Sequence, residues 1–359
     1  MVPQMLNRFI IRSAIIFFWL LIIGCFLYAP TMRFFEHKKI ITILTWTDLI
    51  DPDILREFEQ ETGIKVKLRF FENNEELFIK LLAGRAEGFD LVIPSDYVIE
   101  KLIQNNLVKP IDRTRLNFWH RLNSHLLNPY YDPANKFTIP YHWAVYGLGV
   151  RNDIFAQPPV PSWKLIFDPF GPGKITMLNS AREGVALAAY HLFGTVETLT
   201  KEQQQKIYSV LFEQRKRVEA YVDGDVRADY LLRSKQCSVA VMGSPFVVET
   251  LKQNPSIDFV IPREGSFIVI DSLVISANTN HDHEIYEFIN FLFRQDVLKH
   301  HFHKYPFVPA TGELIPLLQS VDAPAKLISA YQQNADHLHF FRQLMPEDTL
   351  NELWMAIKL

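Results

Sequence analysis

The amino-acid sequence predicts an α/β protein of two lobes joined by two crossing strands. Twice along the chain, short apolar runs alternate with amphipathic helical segments, the pattern of a parallel sheet covered by helices. Two longer extended candidates separate the two blocks, residues 137–151 ("FTIPYHWAVYGLGVR") and 267–276 ("FIVIDSLVIS"). A chain of 359 residues also exceeds what one compact core ordinarily organises.

Residues 1–39 stand apart as a signal or membrane-anchor segment. Arg8 and Arg12 precede the uncharged run Ser13–Met32, a length at the border between a signal peptide and a membrane-spanning helix. "LIIGC" resembles a lipobox ending in Cys25, while "FLY" extends the apolar run past it. An uncleaved anchor, a lipidated Cys25 and a secreted product all export the remainder.

The body opens with the strand "IITILTW" (40–46). "DPDILREFEQETG" then reads as a helix with Asp51 as N-cap, Pro52 in its first turn and Gly63 at its end. "KVKLRFF" alternates as a strand, "NEELFIKLLAGRA" is helical, and "FDLVIPS" is a third, buried strand leading into a helix over "DYVIEKLIQN". A connection rich in Pro, Asn and Tyr precedes the first long strand. The pattern then restarts with "KITML", a helix from Ala181 to about Phe193, helices over "KEQQQKIYSVLFEQ" and "VRADYLL", and strands "CSVAVM" and "DFVIP". The second long strand follows, then helices "DHEIYEFINFLFR" and "DVLKHHFH" and a helical tail.

Composition excludes several function classes. A formal net charge of −3 leaves no footprint for nucleic acid, and the run Arg215, Lys216, Arg217 reads as a solvated face at a helix end. With Cys25 in the leading segment, the body holds one Cys, Cys237, expected as a buried packing residue without a disulfide. "GPGK" (171–174) lacks both the first Gly and the Ser/Thr of a phosphate loop, so no nucleotide cofactor is expected. Histidines in "HDHE", "HHFH" and "HLH" offer a conceivable metal site, but helix-end or solvated histidines are the commoner case. No metal is expected.

Ligands of such two-lobed sheets lie beyond the carboxyl ends of the strands. Trp46, Thr47 and Asp48 follow the first strand, and Ser95, Asp96 and Tyr97 the third. Glu183 falls in the first turn of the helix that starts in "NSAREG", and Asp271 interrupts an otherwise apolar strand. Each has a plainer reading: a core aromatic at Trp46, a first-turn acid at Glu183, a hinge or cap residue at Asp271. Gathered at one cleft, carboxylates and aromatic faces make a receptor for an organic cation, by charge-assisted hydrogen bonds and cation–π attraction. A pair of acids such as Glu183 and Asp271 is also the equipment of a hydrolase.

The runs "TWTDLI", "FEQETGIKV", "FDLVIPSDY", "IPYHWAVYGLGV", "SAREG", "GSPF", "EGSFIVIDSLVISAN", "FINFLFRQDV" and "YPFVPA" occur in this order. In them the chain from Ile40 onward resembles the polyamine-binding proteins of bacterial ABC importers, the periplasmic spermidine/putrescine receptors. The resemblance implies a type II periplasmic binding-protein fold: residues 40–145 and 270–313 form one lobe, 146–269 and 314–359 the other. It implies a ligand site lined by Trp46, Thr47, Asp48, Ser95, Tyr97, Ser180, Glu183, Met242, Asp271 and Tyr305, with a permease and the inner membrane as partners and no catalysis. Four positions depart from the family pattern. Leu49, Val269 and Met242 stand where the family has aromatics, and Ser180 where spermidine receptors carry a further acid. A thinner aromatic box and one acid fewer favour a short diamine such as putrescine over spermidine. An exported hydrolase using Glu183 and Asp271 and an amine-sensing binding protein are the alternatives.

Overall fold

The computed structural model describes residues 13–24, 39–47, 49–222, 225–244, 247–305, 308–311, 314–320, 323, 325, 329 and 337–358. Ile40–Trp46 (β1) pairs in parallel with Lys65–Phe71 (β2) on one side and Leu91–Val92 (β3) on the other. Between β1 and β2 lies Pro52–Thr62 (α1). The Asp51 carboxylate accepts from the backbone N–H of Asp53 at 3.0 Å at its start, and Gly63, at φ 72°, ends it. Asn74–Ala83 (α2) follows β2, and Asp96–Gln104 (α3) follows β3. The second block carries Ile175–Leu178 (β5), parallel to both Val218–Val222 (β6) and Val239–Gly243 (β7). Its helices include Ala181–Phe193 (α4) and Lys201–Gln214 (α5).

Two long antiparallel strands join the blocks: Ile139–Arg151 (β4, between β3 and β5 in sequence) and Ser266–Ile275 (β9). The first half of β4 pairs with β9, and its second half with β7 and Ile257–Val260 (β8). The far end of β9 pairs with β3. The sheet order is therefore β2-β1-β3-β9-β4-β7-β5-β6, two parallel sets sutured by two continuous strands. Asp282–Leu292 (α6) and Gln295–Lys304 (α7) pack on the first block. Leu338–Phe340 (β10) adds to β9, and Glu347–Lys358 (α8) covers the second block.

Three details differ from the sequence reading. The strand expected over "FDLVIPS" narrows to two residues, because the Asp90 carboxylate takes the Thr42 N–H at 2.7 Å and Pro94 has no N–H to offer. β6 lies directly behind the basic run that suggested a helix end. Arg217 is not on a solvated face: it is buried, and its guanidinium donates to the carbonyls of Gly173 (3.2 Å), Leu165 and Pro172 (both 3.3 Å) and to that of Asp168. It thus helps to satisfy the backbone carbonyls of the 168–173 loop, of which Asp168 also accepts the Gly171 N–H at 3.1 Å. Cys237 is buried as expected, with its thiol pushed up to about 12 by burial.

Of the leading segment, residues 13–24 form a helix with its apolar side chains exposed. No helix among the described residues is long and apolar enough to cross a membrane. Cys25 and the rest of the run to Met32 lie outside the described residues.

α8 is seated on α4 through Trp354, whose ring lies 2.5 Å from where a Cβ on Gly184 would stand. Gly184→Ala is expected to push the ring out and cost about 1–3 kcal/mol, read as a lower urea midpoint. An unchanged midpoint would show that α8 is not packed on α4 in this way.

Candidate ligand-binding cleft

The cleft begins at the ends of β1 and β3, where the chain leaves the sheet. Ser95 occupies the N-cap position of α3 yet makes no cap hydrogen bond. Its hydroxyl donates instead to Asp271 Oδ1 at 2.7 Å, and the two residues form an isolated antiparallel bridge between the strand end and β9. Along β9 the less buried positions are Val269 and Asp271, which share one face of the strand and look into the cleft. Trp46 closes β1, its ring against Phe71 at 4.4 Å between centroids. Protein encloses Asp271 except for this side. Burial pushes its carboxyl up to about 7, while Ser95 and the Trp46 indole pull it down. Among the described residues, no Lys or Arg acts on it.

Glu183 arrives from the other block. The Ser180 hydroxyl caps α4 by accepting the Glu183 N–H at 3.3 Å, which sets the glutamate in the first turn. Beside it, the Arg182 guanidinium lies over the Tyr97 ring, 3.1 Å from its centroid, and an Nη2 sits 3.9 Å from Glu183 Oε1. This stack joins α4 to α3 across the cleft. Lys101 to Glu347, at 2.7 Å, and Arg342 over Tyr130, at 4.9 Å, join the two sides further out. Below the stack is Asp96, fully buried, with neither carboxyl oxygen completing a hydrogen bond. Burial raises its carboxyl to about 7. Arg182 opposes that shift, and Asp271 and Glu183 reinforce it. Asp96, on α3, therefore stands in the field of two further carboxylates, Asp271 on β9 and Glu183 on α4.

The other residues singled out in sequence fall variously. Thr47 is exposed in the turn after β1, Tyr97 lies under Arg182, and Ser180 serves as the cap of α4. Asp48 lies outside the described residues. Met242 does not line the cleft: it is 1% exposed, with its sulfur packed over Gly149 beside Leu232. Its neighbours on β7 pair with β4, which turns this stretch into core. Tyr305 follows α7 with its ring 5.6 Å from that of His301, apart from the three carboxylates in every contact described for it. Leu49 is buried, and its carbonyl meets His301 Nε2 at 2.8 Å. Sequence reading set Asp96 at the strand end but left it out of the inferred lining, and it passed over Arg182. The signal was present, since an acid follows a buried strand directly in "PSDY" and a base precedes Glu183 in "SAREG".

Among the histidines, His300 joins Asp51 and Asp53 in a group with metal-like spacing. Lys304 Nζ already stands 2.7 Å from Asp51 and 3.4 Å from Asp53, so an ammonium takes the place a metal would need.

A carboxyl whose pKa is higher folded than unfolded stabilises the fold at low pH and loses that contribution as pH rises through the folded value. Asp271→Asn is therefore expected to make the empty protein more stable at pH 8, by about 2–4 kcal/mol, with the difference vanishing near pH 4. Thermal unfolding at several pH values measures this. A variant less stable than the parent at pH 8 would contradict the assignment of an uncompensated charge.

Residues 53–328 match the family of bacterial extracellular solute-binding proteins. The spermidine/putrescine-binding periplasmic protein of Escherichia coli is 30% identical over 264 residues, 74% of this chain and 75% of its own length. The putrescine-binding periplasmic protein PotF of the same organism is 30% identical over 303 residues, 79% and 81% of the two chains. Among solved structures, the spermidine/putrescine substrate-binding protein PotD of Streptococcus pneumoniae superimposes with a TM-score of 0.76, at 22% identity, over 89% of this chain and 98% of its own. With the two-lobed fold, these matches establish that the chain belongs to the bacterial extracellular solute-binding proteins.

Proposed function

We propose that the chain is the solute-binding subunit of a polyamine ABC importer, holding a short aliphatic amine between its lobes. The carrying observation is Asp271: an enclosed carboxylate facing the cleft, with no Lys or Arg among the described residues acting on it. A charge so placed is stabilised by an incoming cation. Glu183 brings a second carboxylate from the opposite lobe, and Trp46 and Tyr97 supply faces for methylenes. Thr47, Asp48, Ser95, Ser180 and Tyr305 complete the assigned lining. The relatives named for spermidine and putrescine support the same ligand class. Val269 beside Asp271 supplies no ring, which favours putrescine over spermidine.

In this reading residues 40–145 and 270–313 move against 146–269 and 314–359 about β4 and β9, and the closed form presents itself to a membrane permease. The protein acts in the periplasm, and the apolar side chains of residues 13–24 support a tether to the inner membrane through the uncleaved segment or a lipidated Cys25. Glu183 and Asp271 then serve in binding and not as a hydrolytic pair.

Titration calorimetry against putrescine, spermidine, cadaverine and agmatine tests this, with γ-aminobutyrate as a zwitterionic comparison. Saturable amine binding without turnover is expected, and Asp271→Asn should weaken it by about 2–5 kcal/mol. Absence of binding by every amine, or formation of product, would overturn the reading.

A further inference from the structure

Asp96 has no part in the lining inferred from sequence, yet it is the most deeply placed acid of the cleft. Its side chain is completely buried and both oxygens lack a complete hydrogen bond. Arg182 Nη1 is likewise buried without a partner among the described residues, so the guanidinium stacked on Tyr97 leaves Asp96 unclasped. The preceding residue, Ser95, is hydrogen-bonded to Asp271, which ties the two carboxyls to one point of the strand end.

Resting on the amine-binding reading, we propose that Asp96 is a further amine-binding carboxylate and that the incoming ammonium displaces a proton held by the Asp96–Asp271 pair, so that capture releases protons.

The charged and titratable groups around Asp96 are few. From α4 come Arg182, which favours its ionised form, and Glu183, which opposes it. From β9 comes Asp271, again opposing. Tyr130 and Tyr131, from the segment before β4, feel the Asp96 charge and stay protonated through the neutral range, as does Tyr97 on its own helix. Asp271 is faced by Ser95 and Trp46, both uncharged. Arg182 thus answers part of the charge of Asp96, and among the described residues no cation answers Asp271. Near pH 7, where burial places both carboxyls, the empty pair retains about one proton. An aliphatic ammonium arrives already protonated. Its approach converts COOH to COO⁻ by ionising one O–H bond, and the proton leaves to buffer.

The linkage has a fixed sign. Acidification refills the pair with protons and weakens binding, and alkalinity empties it and strengthens binding. The test is calorimetry of the full-length chain, in mild detergent, with putrescine at pH 7 in phosphate and in Tris. Release of about one proton per amine is expected as a heat that depends on buffer. Affinity should rise about a hundredfold from pH 6 to pH 8. Asp96→Asn removes a buried charge without changing shape. It should lower the number of protons released and weaken binding by about tenfold or more. Its urea midpoint, expected at or above that of the parent, shows that the variant is folded.

Binding whose heat is the same in both buffers, or whose affinity is flat from pH 6 to 8, would overturn the proposal. So would an Asp96→Asn variant with unaltered affinity and proton count. A parent protein that binds no amine would instead refute the underlying function, and the two failures are told apart by the first titration.

Discussion

Everything in this molecule turns on negative charge gathered where water is largely excluded. A carboxylate moved out of water is costly to keep ionised, and it must find a cation, several donors or a proton. Asp271 receives one full hydrogen bond, from Ser95, and Asp96 receives none. The Arg182 guanidinium answers part of the charge of two acids, Asp96 and Glu183. What remains is a site that favours a positive guest, and the empty protein meets the deficit by holding protons. Stability and binding are therefore opposed at the same atoms.

The sheet explains how such a site arises. β4 and β9 run through both blocks, and Asp271 sits on β9 opposite His142, at a register shift in the pairing with β4, where it also bridges Ser95 at the end of β3. Ser95 reaches it because β3 is only two residues long and the chain turns at Pro94 into α3. On the opposite side, β5 feeds α4 through a Ser180 cap, which places Arg182 and Glu183 in the first helical turn. The apolar packing below these turns holds the carboxylates in place.

Much of this was legible in the sequence because its causes are local. Asp51, Pro52 and Gly63 fix α1 by cap chemistry, the alternation in "KVKLRFF" marks β2, and an acid inside "FIVIDSLVIS" announces a charge in need of a partner. What escaped depends on contacts far apart in the chain. Met242 is core because Gly149 leaves room above β4 for its sulfur, ninety-odd residues away in sequence. Arg217 is buried because a loop some fifty residues earlier presents carbonyls to it. Asp96 looks like an ordinary first-turn acid until α4 and β9 are folded over it.

The most direct measurement is carbon-13 NMR of the side-chain carboxyls of Asp96 and Asp271, titrated with pH in the empty and the putrescine-loaded protein. Both should titrate near 7 when the cleft is empty. With the amine bound, both should remain ionised well into the acid range. Carboxyls already ionised at pH 5 in the empty protein, or titration curves that putrescine leaves unmoved, would contradict the account.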